Sequence, residues 1–331
     1  MPDNTIIPHE IIRIANILAF TLVSACLISL GASINWIPDL FRHFMHQYFI
    51  GSLVLVPVML CFRRPLTSTA LIIVLCFSFY EIYSSSEKIQ PVDQTNSSTL
   101  KIVHYNRHYN LYDHRAMTEW LIKENPDIFV IQEAGETHSE AIESLRDIYP
   151  YQIHEPRKNA FGLILASKHK IIHSVTHQNI RYALDNIYVH TLIQLPDEQH
   201  ISIYTSHPPP PISALLQTQR NQDINVVVDA IQNDSTANII FMGDWNITPY
   251  SPYFKTILKE TGLKNQHNSF YAPPTWPSLF LSPILQIPID HILHKGDLHL
   301  TSKRNGPHLG SDHFPVIAEF AVPKQRAHKE N

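Results

Sequence analysis

The stretch from Ile14 to Ile34 constrains this chain most. It runs for 21 residues without a single Asp, Glu, Lys or Arg. A segment that long and apolar crosses a bilayer as one helix, because a helix satisfies every backbone N–H and C=O internally where no water can. Two further apolar segments follow. Phe44 to Phe62 is interrupted by His46, Gln47 and Pro57, and Leu66 to Tyr83 carries Glu81 near its end. Each could be one limb of a re-entrant hairpin. Arg63-Arg64-Pro65 makes a sharp charged turn between them, so three spanning helices are expected, over residues 14–34, 44–62 and 66–83. A cleaved signal peptide is the alternative for the first segment, and the two apolar segments behind it argue against this.

The charges set the expected orientation. Arg13 precedes the first span, and Arg63 and Arg64 lie between the second and third. With three spans these share one side, and the other side has only Arg42 in its short loop. The positive-inside rule then makes the N-terminus cytoplasmic and everything after residue 84 extracytoplasmic, as in a multi-pass protein of the cell (inner) membrane. The low charged content, 16%, fits a membrane portion. Residues 100–331 hold 20 Lys/Arg against 23 Asp/Glu, a net of −3. That part lacks the basic excess of a protein that holds long nucleic acid by its phosphates. It also lacks cysteine, since Cys26, Cys61 and Cys76 all lie in the apolar third. No disulfide framework or Cys-based zinc site is available to it.

Residues 1–83 thus read as the transmembrane region. Residues 84–99, with SSSEK and DQTNSST, are polar and aperiodic and read as a linker. Residues 100–323 read as one catalytic domain, and 324–331 as a polar tail. Within the domain, short β-like runs start at Lys101, Asp127, Phe161, Ile171, Ile187, Ile201, Ile239, Ile289, Leu298 and Val316. Helical patterns fall over 113–125, 137–145, 213–231 and 251–261. Many strands with a few interleaved helices suggest two packed sheets with helices outside.

Six polar clusters follow or open apolar runs: Asn106, Gln132-Glu133, Ser206-His207, Gly243-Asp244-Trp245-Asn246, Asp290-His291 and Ser311-Asp312-His313. A core strand buries its apolar residues, and its end is where polar groups reach a cleft. One such cluster is ordinary. Six, all offering oxygen or imidazole groups, are hard to explain as loops. In IIFMGDWNITPY, Gly243 lets the chain break after a buried run. Asp244 and Asn246 then lie two apart, on one side of an extended segment. Alone, this could be a capping Asx turn.

Taken together, KIVHYN, DIFVIQEAG, YTSHPPPP, FMGDWNITP, IDHIL and GSDHFPVIAEF resemble the endonuclease/exonuclease/phosphatase superfamily, in its membrane-anchored bacterial branch. These segments span Lys101 to Phe320 in the family's order, with Trp245 where the family often has Phe. The resemblance implies the DNase I-like fold, an α/β (α+β) four-layer sandwich of two mainly antiparallel sheets flanked by helices. It also implies hydrolysis of phosphodiesters or phosphomonoesters with a divalent metal, usually Mg2+, for which Mn2+ can substitute.

On the same resemblance, Glu133 holds the metal, Asp312 lies beside it, and Asn106 assists at the metal or a phosphate oxygen. Asp244 orients and deprotonates the attacking water, and Asn246 holds that carboxylate or a phosphate oxygen. Asp290 pairs with His313 and fixes its tautomer, so that the far nitrogen stabilises charge or protonates the leaving group. His207 is the second catalytic imidazole, contacting phosphate. His291 reads as support. The proline run after His207 rigidifies its loop, Trp276 either stacks on substrate or packs, and Arg181 is either a phosphate contact or a surface residue.

The expected substrate is a phosphate ester, of nucleic acid or a lipid headgroup, and the expected membrane contact runs through the N-terminal helices. No protein partner follows from the sequence. A catalytically inactive relative acting as a membrane scaffold is the competing reading, and retention of the acidic and imidazole residues argues against it. A zinc enzyme would need clustered His or Cys such as HExxH, which the sequence lacks.

Overall fold

A computed structural model of the protein describes residues 9–85, 87–92, 95–178, 186–269, 271–278 and 284–324. Arg181 and nearly all of the polar tail lie outside the described residues. The chain divides into two compact units, one of residues 1–85 with Tyr250–Pro252 and one of the remainder.

The first unit is helical: α1 (His9–Ser29), α2 (Trp36–Arg42), α3 (Met45–Cys61) and α4 (Pro65–Ser84). Helices α1 and α4 are long and apolar enough to cross a membrane. The pair α2 and α3, bent by 57°, passes the same test together and would make a third span. Helix α2 escaped the sequence reading because it is only seven residues long and opens on Asn35, whose side chain caps Ile37 N. Arg42 is not a loop charge. It ends α2, is buried, and pairs with Glu81 of α4 at 2.7 Å. Each charge offsets the other where neither could be left alone in an apolar setting. All three cysteines are free thiols.

The second unit contains β1 (Glu87–Lys88), β2 (Ser97–Asn106), α5 (Arg115–Glu124), β3 (Ile128–Gln132), α6 (Glu136–Glu143), β4 (Tyr151–Glu155), β5 (Leu163–Ser167), β6 (Lys170–Gln178), β7 (Ile187–Gln194), β8 (His200–Ser206), α7 (Ala214–Gln232), β9 (Asn238–Asp244), α8 (Pro252–Thr261), β10 (Gln266–His267), β11 (Asp290–Lys295), β12 (His299–Asn305) and β13 (Val316–Pro323). A six-stranded sheet has the order β12-β13-β2-β3-β5-β4, and a five-stranded sheet the order β11-β9-β8-β7-β6. A small parallel pair, β1-β10, stands apart.

Strand alternation explains the layers. Ile102, Val130 and Leu165 of the first sheet share one core with Val189, Ile203 and Ile240 of the second. Their neighbours Val103, Phe129 and Ile131 face the other way and pack with Met117, Leu121 and Ile142 of α5 and α6. Tyr204, Ile239 and Phe241 likewise pack with Ile224, Val228 and Phe254 of α7 and α8. The order is helix, sheet, sheet, helix, as the motifs implied. Each sheet contains one parallel pair, β2/β3 and β8/β9. Parallel neighbours need a crossover, supplied by α5 and α7. Their antiparallel partners β13 and β11 start where β2 and β9 end, with Val316 opposite His104 and Asp290 opposite Asp244. This topology gathers the ends of β2, β3, β8 and β9 and the starts of β11 and β13.

Candidate active site

Gln132, the last residue of β3, joins the two sheets. Its Nε2 donates to Ser206 O at 2.9 Å and Thr205 Oγ1 at 3.2 Å, and its Oε1 accepts from Asp244 N at 2.9 Å. It is fully buried, so each unmade bond would cost its desolvation. Gly243 is required at this crossing. A Cβ there would lie 2.2 Å from Ser206 O and 2.8 Å from Gln132 Nε2.

Asp244 ends β9 and is 2% exposed. Asn106 Nδ2 donates to its Oδ2 at 3.0 Å and to Glu133 Oε1 at 2.9 Å, bridging the two carboxylates. Asn246 N donates to Asp244 Oδ1 at 3.0 Å. The carboxylate is thus held by the backbone of Asn246. The Asn246 side chain turns to Pro208 O at 3.0 Å and ties this turn to the loop carrying His207. Asn246 and Glu133 both have positive φ, 51° and 59°. Arg220 of α7, fully buried, donates to Asn246 O at 3.1 Å and fixes the same turn.

Asp290 opens β11 between two imidazoles. His313 Nδ1 lies 2.9 Å from its Oδ2, and His104 Nε2 lies 2.9 Å from its Oδ1. A carboxylate only accepts, so both ring nitrogens carry hydrogen. His313 Nε2 then faces Asp244 Oδ2 at 3.6 Å. The result is a continuous line His104–Asp290–His313–Asp244–Asn106–Glu133. Burial alone would raise Asp290, but His313 and the His104 hydrogen bond hold it well below the usual carboxylate range. Burial raises Asp244, against the lowering pull of His313. For His313 burial works downward, and the Asp290 and Asp244 charges overcome it, so the ring is held as the imidazolium.

The other expected residues sit as follows. His207 is buried, with Nε2 4.0 Å from Glu133 Oε1 and its ring edge-on to Phe161. Asp312 is half-buried, and its Oδ2 accepts from Trp276 Nε1 at 3.1 Å, so the indole of Trp276 is anchored beside the site. His291 Nε2 donates to Ile247 O, 2.8 Å away, and the ring packs on Trp245 and Phe254, a supporting place. Trp245 is fully buried in the α7/α8 core, where its size is accommodated. Ser311 Oγ donates to Asn106 O at 2.8 Å and binds the His313 loop to β2.

Asp244, Asp290 and His313 place ligand-capable atoms within 4.8 Å of one another. Both Asp290 oxygens already accept imidazole N–H, which leaves that carboxylate fewer lone pairs for a metal. The other carboxylates lie at the far end of the line, where imidazoles are the cationic neighbours. Glu133 and Asp244 share one Asn amide, and among the described residues no Lys or Arg pairs with either. Two carboxylates joined by one Asn amide offer the oxygen ligands that a hard divalent cation prefers, with room for it to keep part of its water shell.

Two β-sheets back to back, with oxygen and imidazole groups gathered at paired strand ends, define a metal-dependent hydrolase of phosphate esters. Residues 103–313 match the Endonuclease/Exonuclease/phosphatase family, and the chain belongs to it. No curated protein matches the chain by sequence. Among solved structures, an endonuclease/exonuclease/phosphatase from Beutenbergia cavernae DSM 12333 is 17% identical, covers 68% of this chain and 72% of its own, and has a TM-score of 0.54. D. rerio TDP2 complexed with a single-strand DNA product is 14% identical over 67% of this chain and 99% of its own, with a TM-score of 0.55. Beta toxin from Staphylococcus aureus is 17% identical over 66% and 99%, with a TM-score of 0.51. At these identities the likeness is one of fold.

Proposed function

We propose that the protein is a membrane-anchored, Mg2+-dependent phosphodiesterase whose catalytic unit lies outside the cytoplasm, acting on a diester of nucleic acid or a lipid headgroup. The observation that carries this reading is the unbroken line from His104 to Glu133. It provides a held anion, an imidazolium, a second anion of raised basicity and a metal-binding carboxylate in sequence.

Glu133 would hold the divalent ion, with Asn106 and Asp312 nearby, and the ion would supply charge neutralisation at the phosphate and acidify a bound water. Asp244 orients the attacking water and takes its proton, which suits a carboxylate whose basicity burial has raised. His313 is held as an imidazolium by Asp290 and presents Nε2 to the developing phosphate charge. His207 adds a second imidazole, with Nε2 4.0 Å from Glu133 Oε1. Asn246 holds Asp244 through its backbone N–H and, through its side chain, sets the distance to the His207 loop.

The test is hydrolysis of bis-p-nitrophenyl phosphate by the full chain in detergent micelles, with and without Mg2+. Glu133→Ala should need far more metal than wild type and recover part of its rate in excess Mg2+ or Mn2+. Activity that survives chelation would refute the metal-dependent reading. A panel of nucleic acid, phospholipid and phosphomonoester substrates then fixes the class. Arg13, Arg63 and Arg64 support the orientation. A C-terminal alkaline phosphatase fusion should be active, and a dead fusion would reverse the topology.

A further inference from the structure

A cavity of about 180 Å³ lies on the outer side of the five-stranded sheet, under α7. Its position follows from strand parity. Ile201 and Ile203 of β8 enter the core between the sheets, so Tyr204 and Ser206 face α7. On β7, Ile187 and Val189 point inward, and Tyr188 points outward. The cavity is walled by Tyr188 and its cross-strand partner His177, whose rings stack at 4.4 Å and 9°, and by Pro208 and Val226.

Three of its lining residues keep a buried polar atom with no partner among the described residues: Ser206 Oγ, Asn186 Oδ1 and His207 Nδ1. All three residues are more than nine-tenths buried. Such atoms cost free energy unless something fills them. Asn186 cannot relieve itself by an amide flip, because its Nδ2 donates to Asp223 Oδ2 at 2.5 Å. Its Oδ1 is therefore a fixed acceptor. His207 turns Nε2 toward Glu133 Oε1, which favours the proton on that nitrogen and leaves Nδ1 as a second acceptor. The Ser206 hydroxyl can donate or accept.

We propose that this cavity is a second ligand site, distinct from the metal-binding cleft, for a neutral amino-substituted heteroaromatic ring of the nucleobase type. Its volume sets the size, since a dry cavity of about 150 Å³ takes one benzene ring. The flat, largely apolar wall selects a ring. One fixed acceptor, one imidazole nitrogen able to accept and one hydroxyl call for a ligand with two N–H donors and an acceptor on its edge. Among the described residues the lining includes the Asp223 carboxylate and no Lys or Arg, which disfavours an anion such as phosphate. The site reaches the catalytic cleft through one imidazole. A ligand donor on His207 Nδ1 locks the Nε2–H tautomer that faces Glu133, so occupancy would sharpen the donor role of His207. That coupling rests on the function proposed above, and the binding does not.

The test is calorimetric titration of the full chain in micelles with adenine, cytosine and, as comparators, inorganic phosphate and indole. Adenine or cytosine should bind at one site per chain. Asn186→Leu should weaken that binding about tenfold, the worth of one buried hydrogen bond. Val226→Trp should abolish it by filling the cavity. Val226 is 45% exposed on α7, so this variant should fold and hydrolyse bis-p-nitrophenyl phosphate at the wild-type rate without base. Added base should change the rate of hydrolysis in wild type and leave Val226→Trp unmoved. Heat from neither base, affinity indifferent to both variants, or phosphate binding that Val226→Trp removes would each overturn the proposal. A chain that binds base and hydrolyses nothing would instead refute the hydrolase reading and leave this site standing.

Discussion

Asp244 and Asp290 face each other across adjacent strands, as register partners on β9 and β11, and both are buried. Their surroundings drive them apart. Asp290 accepts from an imidazole on each oxygen and stays ionised far into acid. Asp244 accepts from one side-chain amide and one backbone N–H, and burial raises its basicity. Two carboxylates one strand apart thus become a fixed anion and a more basic carboxylate. The difference lies in their hydrogen-bond partners, since residue type and burial are the same.

The hardest test of that comparison is to neutralise each carboxylate in turn. Asp244→Asn keeps size and bonding but removes the base, and turnover should fall by a factor on the order of 10²–10⁴ with KM little changed. Asp290→Asn should cost less, because it disturbs only the tautomer and charge of His313. Adding Asp290→Asn to His313→Ala should cost little beyond His313→Ala alone, since the two act as a unit. A larger loss at Asp290 than at Asp244, or strict additivity, would erase the distinction drawn between them.

A smaller effect should come from His104. It is a positioning residue, with no contact to the reacting atoms, and its Nδ1 has no partner among the described residues. His104→Leu removes one donor from Asp290, which then pulls harder on the His313 Nδ1 proton. Turnover should fall by roughly tenfold, the scale of one hydrogen bond to a charged group. The alkaline limb of the pH–rate profile should also move upward. His104→Gln restores an N–H at similar reach and should return the profile toward wild type. An equal loss in both variants with no pH shift would make His104 a packing residue only.

These residues also mark where the sequence is readable. Glu133, His207, Asp244, Asp290 and His313 each sit where an apolar run meets a polar residue, a local signal, and the topology brings them together. His104 gives a weaker form of it. Two residues before Asn106 in KIVHYN, it shares that residue's face of β2, yet it sits inside an apolar run and reads as core. Gln132 is invisible as a bridge, because its partners lie 73 and more positions away, on the other sheet. Strand β4 gives no local signal for a different reason. YQIHE is a half-buried edge strand without an apolar run. The N-terminal part of β2, from Ser97 to Thr99, is polar in sequence and reads as linker, yet it pairs with Ala321–Pro323 of β13. Asp312 keeps only its neighbours legible, since its bond to Trp276 depends on a loop crossing.

The smallest effect on turnover, and the one that isolates charge burial from catalysis, concerns Lys303. It lies on β12, is buried, and donates from Nζ to Ile292 O at 3.0 Å. It lines a small cleft with Asp290 and His291, yet among the described residues it forms no ion pair. Burial pushes its pKa down from 10.5 to about 7. Between those values the folded chain holds the neutral amine and the unfolded chain the ammonium. The unfolded state therefore binds the extra proton, and stability should rise as pH rises from about 7 to about 10.5. Lys303→Met keeps the stem and removes the titration. It should raise the thermal midpoint at pH 7, with the gain over wild type, on the order of 4 kcal/mol at most, shrinking toward pH 10.5. Turnover should change little, because Asp290 already has both imidazoles. A gain that is constant with pH would mean that Lys303 is charged in the folded chain. A large loss of turnover would mean that Asp290 depends on a third cation, and its contrast with Asp244 would then need that charge as well.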